Sequence, residues 1–297
     1  MMNRIAILTD STSDLPKALR EQYQIDYVPM NYVVEEHEYP ASLDWESHSP
    51  KAFYDLMRGG LRVRTTQVPR EVFEAKFDAY LSQGTDVVYV SCSSALSGSV
   101  NLARLIAQEL EKKHAHAHVF CVDSLISSLG QGYLAMRAAR LRDEGKTAEQ
   151  IVSELESVRL TVNQYATVES LDYLRRAGRV KASSAFFGNL FGVKPIILSD
   201  RIGQNYAFKK VKGAMAARQE IARLVAENVI DPQEQTLYIS HADNLAGAEQ
   251  LRDEILKLAG FRDVCMSIIA PIVGASVGPG TVSAYFIGKE VTIEGKE

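Results

Sequence analysis

Three apolar runs in the first half of this 297-residue chain each end in a cluster of hydroxyl residues. They read IAILTDSTSDLP (5–16), VVYVSCSSALSG (87–98) and FCVDSLISSLGQG (120–132). A serine or threonine hydroxyl donates a hydrogen bond without carrying charge. Several such donors, converging with the free N–H groups of helix starts, would hold a small anionic group. No lysine or arginine lies inside the three runs. Neutral donors suit a single carboxylate, whereas a polyphosphate calls for cations. Neither G-x-x-x-x-G-K-[ST] nor G-x-G-x-x-G occurs, which argues against phosphate-loop and dinucleotide chemistry.

Several other residues could carry chemistry beside this cluster. In SCSSALSG (91–98), Ser93 and Ser94 sit where a strand ends, and Ser97 and Gly98 sit where a helix begins. Ser97 could bind an anion or simply cap its helix. A nucleophilic serine would need a base and an acid close by, and the G-x-S-x-G elbow is absent. His241 in ISHADN (239–244) is the one plausible base, and it reads better as a turn or cap residue. His114, His116 and His118 would share one face of a strand, but no carboxylate or thiolate completes a metal spacing, so no metal is expected. In LDYLRRAGRV (171–180), Arg175 and Arg176 suit a helix end stopped by Gly178, while Arg179 lies beyond it. GASVGPG (274–280) reads as a glycine-rich hairpin loop, or as backbone approaching a ligand.

The elements that must position these residues alternate along the first half. Ile5–Leu8, Tyr27–Met30, Val87–Val90 and Val119–Val122 read as strands. Helices are expected from about Pro16, capped by Ser13 or Asp14, and over Pro50–Arg58, Pro69–Leu81, Val100–Lys112, Gly132–Glu144 and Ala148–Leu160. Such alternation predicts a parallel sheet covered by helices on both faces. All three hydroxyl clusters would then lie on its carboxyl edge, where open α/β sheets bind ligands. Beyond Asn163 the pattern becomes α+β with a mixed sheet. Its strand candidates are Ala166–Val168, Lys194–Ser199, Tyr206–Lys210, Leu237–Ser240, Val264–Ile269 and Val282–Ile287. Two domains are expected, 1–163 and 164–297.

Bulk properties narrow the function. The net charge of −4 offers no basic field for nucleic acid. Three widely spaced cysteines, Cys92, Cys121 and Cys265, suit a reducing compartment rather than a disulfide framework. No signal peptide is read at the N-terminus, and no apolar stretch reaches the ~18 residues of a membrane span. A cytoplasmic protein without stable membrane insertion is expected.

Taken together, the motifs resemble one family, the bacterial DegV proteins, also called fatty-acid-binding FakB proteins. The resemblance covers nearly the whole chain and rests on the order of TDSTSDLP (9–16), TTQ (65–67), SSALSGS (93–99), VDS and SLGQG (122–132), SLDYLRRAGRV (170–180), KPII (194–197) and GASVGPG (274–280). It implies a two-domain carrier holding one long-chain fatty acid in a tunnel between the domains, with no other cofactor and no catalysis of its own. The carboxylate would be presented to a separate ATP-dependent fatty acid kinase, which makes acyl phosphate. By the resemblance, Thr65, Thr66, Ser94, Ser97 and Gly98 bind the head group, while Arg179 and Lys212 belong to the surface for the partner or phosphoryl transfer.

Four positions depart from the family pattern. Val68 replaces the proline of a TSQP-like run, Ala177 precedes Gly178 where the family has paired glycines, and Lys212 stands for an arginine. Ser276 occupies the position of a frequent histidine that helps hold the carboxylate; it can still donate a hydrogen bond but cannot carry charge. FFGNLFGVKPII (186–197) is bulky enough to wall an alkyl tail or to be plain core. The alternative readings are a serine-dependent hydrolase or an acyl or phosphoryl transferase using the same hydroxyls, and a carrier of another small acid.

Overall fold

A computed structural model describes residues 4–182, 186 and 192–295. The first half runs β1 (Arg4–Asp10), α1 (Lys17–Tyr23), β2 (Ile25–Val28), β3 (Asn31–Val34), β4 (His37–Pro40), α2 (Pro50–Arg58), β5 (Arg64–Thr66), α3 (Arg70–Leu81), β6 (Thr85–Ser91), α4 (Ser99–Leu110), β7 (Val119–Asp123), α5 (Ser128–Asp143) and α6 (Ala148–Val158). Four strands pair in parallel in the order β2-β1-β6-β7. Successive side chains of a strand point to opposite faces. Leu8, Val87 and Tyr89 accordingly pack with Phe73, Phe77 and Ile106 of α3 and α4. Their neighbours Ile7, Val88 and Val90 pack with Leu134, Ile151 and Leu155 of α5 and α6. The expected sheet with helices on both faces is present.

One local feature goes beyond the sequence reading and one expectation fails. The stretch 31–66 also builds a small antiparallel sheet in the order β4-β3-β5, in which Tyr32 lies opposite Thr65. Strands this short carry too little alternation to be read from sequence. The expected capping of α1 by Ser13 or Asp14 is not formed, and Pro16 precedes the helix without a side-chain bond. Asp14 is used elsewhere: it accepts the Ala270 N–H at 2.8 Å and the Ser128 hydroxyl.

The second half runs β8 (Val162–Thr167), α7 (Asp172–Ala177), β9 (Val193–Ser199), β10 (Asn205–Lys212), α8 (Ala214–Asn228), β11 (Thr236–His241), α9 (Leu245–Leu258), β12 (Asp263–Ile268), α10 (Pro271–Val277) and β13 (Val282–Ile287). Six strands form the expected mixed sheet, β10-β9-β8-β13-β11-β12, parallel only between β11 and β12. Ile221, Val225, Leu251 and Ile255 of α8 and α9 pack on Ile239, Ala284 and Phe286. The glycine-rich loop expected over 274–280 is corrected: Gly274–Val277 is the last part of α10, and only Gly278 and Gly280 take left-handed backbone, with φ of 78° and 87°. Glycine and serine are poor helix formers, but Pro271 suits a first helical turn. Tertiary packing holds the rest, since Ile272 and Ala275 join Phe53 and Tyr54 of α2 in one cluster.

The halves are packed together rather than strung side by side. Ala242, Ile269, Ile272 and Ala275 belong to the same apolar cluster as Leu8 and Tyr89, and Tyr238 and Tyr285 to that of Ile7 and Val88. Helix α5 packs against β1 and β6 of the first sheet and β11 and β13 of the second. It begins at Ser128 rather than the expected Gly132, because Gly132 serves close packing instead of a loop. A Cβ there would lie 2.8 Å from Leu15 Cγ and 2.9 Å from the Ser13 carbonyl oxygen. Asp14 adds a polar tie from the loop after β1 to the start of α10. Burial dominates its titration and raises its pKa to about 8, against the lowering effect of its bonds from Ser128 and Ala270, with nearby Asp10 raising it further.

Two outcomes are expected. Replacing a helix-interior glycine by alanine ordinarily gains roughly 1 kcal/mol. Gly132→Ala should instead destabilise the fold by about 1–3 kcal/mol, because overpacking against a main-chain oxygen cannot relax; a urea midpoint at or above wild type would contradict the packing argument. Asp14 titrates higher in the folded chain than its usual 3.8, so the folded state holds the extra proton between those values. Stability is therefore lost as pH rises from about 4 to about 8. Asp14→Asn keeps an acceptor for Ala270 and removes the titration, so its urea midpoint should fall less over that interval than that of wild type.

Candidate ligand-binding site

The carboxyl edge of the parallel sheet is organised around Asp10, fully buried at the end of β1. Its carboxylate accepts the Thr12 N–H at 3.0 Å, the Thr12 hydroxyl, the Tyr89 hydroxyl at 2.8 Å and the Cys92 N–H at 3.1 Å. A buried charge persists only when donors surround it, and these come from the loop after β1, from β6 itself and from the loop after it. Gln131 of α5 completes the lattice: its Oε1 lies 2.7 Å from Thr12 Oγ1, and its amide donates to Thr9 Oγ1 and the Val90 carbonyl. Burial and the Asp10 charge push the Cys92 thiol far above its ordinary range, so it is no nucleophile.

The start of α4 is joined to the end of β5. Ser99 Oγ accepts the Val68 N–H at 3.2 Å and lies 3.1 Å from Ser97 Oγ. A Cβ at Gly98 would sit 2.7 Å from Gln67 Oε1, so the side chain of Gln67 lies directly against the helix start. Thr65 and Thr66 are thereby brought beside Ser97 and Gly98, although about thirty residues separate them in sequence. Gly98 rather than Ser97 occupies the N-cap position of α4, so the expected capping role is not formed, although Ser97 Oγ, one residue earlier, accepts the Ser99 N–H at 3.3 Å. Thr66 Oγ1 is 3.5 Å from Glu38 on β4.

These groups open onto a cavity of about 230 Å³ with walls from both sides of Asn163. Thr65, Thr66, Ser97, Gly98 and Ser276 all line it, and so do Thr12 and Ser127 from the other two hydroxyl clusters. Leu96, Val168, Leu174, Ile197, Ile272 and Val277 supply apolar wall. Arg179 is the one cation that lines it among the described residues, and no histidine or carboxylate does. Its Nε donates to the Leu96 carbonyl at 3.0 Å and its guanidinium also bonds the Ala177 carbonyl, which hold it half-buried at the cavity wall. Ser276 Oγ donates back to the Ile272 carbonyl at 3.4 Å, a long bond that a better acceptor could displace.

Several expected residues lie apart. Ser94 is exposed and does not line the cavity; its N–H donates to Asp123 at 3.1 Å. Lys212 is exposed at the end of β10. His241 is likewise absent from the lining, and its Nδ1 accepts the Asn244 N–H at 3.2 Å, a turn contact as expected. His114 pairs with Asp78 at 2.8 Å and His118 lies 3.6 Å from Glu111, so these rings face different partners. Of the bulky segment 186–197, residues 187–191 lie outside the described residues, while Ile197 does line the cavity. Sequence reasoning missed Gln67, Gln164 and Asn205. Gln164 Nε2 lies 3.3 Å from Asn205 Oδ1, and Asn205 Nδ2 donates to the Arg179 carbonyl at 3.0 Å. Gln164 and Asn205 are buried on β8 and β10, whereas Gln67 is exposed just after β5, and no shared sequence pattern marks the three.

Comparison with known proteins agrees with this geometry. A DegV domain-containing protein of Clostridium perfringens is 33% identical over 97% of this chain and 98% of its own length. Protein DegV of Bacillus subtilis is 30% identical over 94% and 97%. Its crystal structure, described as that of a fatty acid binding protein, superimposes with a TM-score of 0.82 at 28% identity, covering 97% of this chain and 100% of that one. A DegV family protein from Thermus thermophilus, described for its fatty acid binding, gives 0.83 at 28% identity over 96% and 99%. The family model for uncharacterised proteins of the DegV type matches residues 4–289, and the chain belongs to the DegV family.

Proposed function

We propose that the protein carries one long-chain fatty acid in the cavity between its halves, 1–163 and 164–297. The carboxylate would lie at Thr65, Thr66, Ser97 and Ser276, and the tail along the apolar wall. One observation carries the reading: a single cavity combines apolar walls with a hydroxyl-lined edge and one guanidinium. Each buried methylene contributes about 0.8 kcal/mol, so the tail would supply most of the affinity and the polar edge the orientation. Arg179 would provide the positive charge that Ser276 cannot. The related structures at 28% identity described as fatty acid binding support the same ligand.

The protein would act without catalysis of its own, in the cytoplasm, and present the carboxylate to an ATP-dependent kinase that forms the acyl phosphate. The hydrolase reading finds no support in the cavity, where no described lining residue could act as base to Ser97. No helix among the described residues is long and apolar enough to cross a membrane.

Denaturing extraction of the purified protein followed by mass spectrometry should release a long-chain fatty acid. An empty extract from protein that also fails to take up added fatty acid would overturn the carrier reading. Ser97→Ala and Thr65→Ala should each weaken fatty acid binding by about 1–3 kcal/mol, the worth of a hydrogen bond to a charged group. Unchanged affinity in both would reduce the cluster to local capping. Ser276→His would add a titrating donor beside the carboxylate. Its affinity should rise as pH falls through about 6.5, because only the imidazolium attracts the anion; a flat pH profile in titration calorimetry would place the carboxylate elsewhere.

A further inference from the structure

The ligand cavity has a neighbour. A second cavity of about 230 Å³ shares Thr65, Arg179 and Ser276 with it. Arg62, Arg64 and Arg176 also line this second space. Four guanidiniums therefore border one cavity, and among the described residues no carboxylate lines it. Arg64 is the first residue of β5, Arg62 lies two residues before it, and both line this space. Arg176 and Arg179 sit on either side of the left-handed turn at Gly178, where φ is 69°. That turn directs the end of α7 and the chain after it towards one space.

The hydrogen bonds of these arginines leave their charge largely uncompensated. Arg179 bonds the main-chain carbonyls of Leu96 and Ala177. Arg176 Nε donates to the Asp172 carbonyl at 3.2 Å, and its guanidinium lies 5.1 Å from the centre of the Tyr173 ring. Main-chain carbonyls and a ring face orient a guanidinium without neutralising it. Among the described residues, the one ion pair of these four arginines is Arg64 with Glu36 at 3.5 Å, and the Glu36 side chain is 91% exposed. Such a pair is weak in water. Gathering like charges is unfavourable unless an anion joins them.

A lone carboxylate does not need four guanidiniums, and its hydroxyl donors lie in the first cavity. A tetrahedral dianion does use them, since guanidinium forks match phosphate oxygens in pairs. We infer that the four-arginine cavity is a subsite for a phosphoryl group, next to the carboxylate end of the ligand cavity. Where the phosphoryl group is part of a lipid, the inference rests on the carrier reading: the head of an acyl phosphate would reach this cavity while its tail stayed in the first. A free phosphate would use the same donors.

The test compares hexadecyl phosphate, a stable phosphate-headed lipid, with hexadecanoic acid by titration calorimetry, and follows inorganic phosphate by phosphorus NMR line width. In Arg62→Ala and in Arg176→Ala, hexadecyl phosphate affinity should fall about tenfold or more, the usual scale for losing a charge-assisted bidentate contact. Hexadecanoic acid affinity should stay at the wild-type value. Arg62→Gln, which keeps length at an exposed position, should match Arg62→Ala. Phosphate broadening lost in the variants would show that the subsite also takes the free anion; weakening of the lipid phosphate alone would assign it to the lipid head. Unchanged hexadecyl phosphate affinity in all three variants would overturn the inference. If the wild type took up neither lipid, the carrier reading would fail by itself; phosphate broadening lost in Arg62→Ala would still support the anion site, and its absence would remove that too.

Discussion

A single buried carboxylate organises the edge on which the cavity is built. Asp10 gathers donors from its own loop and from the strand and loop of β6, so the two chain segments cannot separate without stranding a charge in the interior. The loop after β1 then bonds α5 through Thr12 and Gln131, and the start of α10 through Asp14. This edge of the cavity is thus held by hydrogen bonds that join β1, β6, α5 and the start of α10, in addition to the apolar packing that holds the sheets. Its shape is set before any ligand arrives, which lowers the ordering cost of binding.

The distribution of charge follows a division of labour. The three hydroxyl clusters stay free of cations, while the arginines come from separate segments, β5 and the end of α7, and meet the hydroxyls only where Thr65, Arg179 and Ser276 border both cavities. Position 276 carries an uncharged serine, and the positive charge at the border of the two cavities comes from Arg179. A guanidinium differs from an imidazole in keeping its charge at every accessible pH, so an anion site built on one would lack the pH sensitivity that a histidine brings.

The parallel sheet was legible because strands buried on both faces appear as continuous apolar runs, as in Ile5–Leu8 and Val87–Val90. The strands of three or four residues around Tyr32 were not, since their pairing depends on partners far along the chain. Strand β8 shows the opposite difficulty. It is buried throughout, yet only its end falls in the expected strand Ala166–Val168, because Asn163 and Gln164 interrupt the apolar pattern. Asn163 Nδ2 donates to the carbonyls of Thr161 and Lys289, contacts no local pattern can show. At the site, the hydroxyl residues were legible by type, and family resemblance selected among them. Ser94 was selected by the same logic, but it lies on the exposed side of its turn. The amides of Gln164 and Asn205 become meaningful only when it is known which face of their strands looks inward.

The apolar clusters that span the two halves bear on how such a protein can change over generations. Tyr54 of α2 donates to the Ile269 carbonyl at 2.7 Å, and Phe53 and Tyr54 share a cluster with Ala242, Ile272 and Ala275 from the other half. A hybrid gene joining the first half of one family member to the second half of another would have to match these surfaces anew. At the roughly one-third identity that separates the chain from its Clostridium relative, such a match would arise seldom. A change confined to the cavity wall leaves these joint surfaces intact, whereas exchange of a whole half does not.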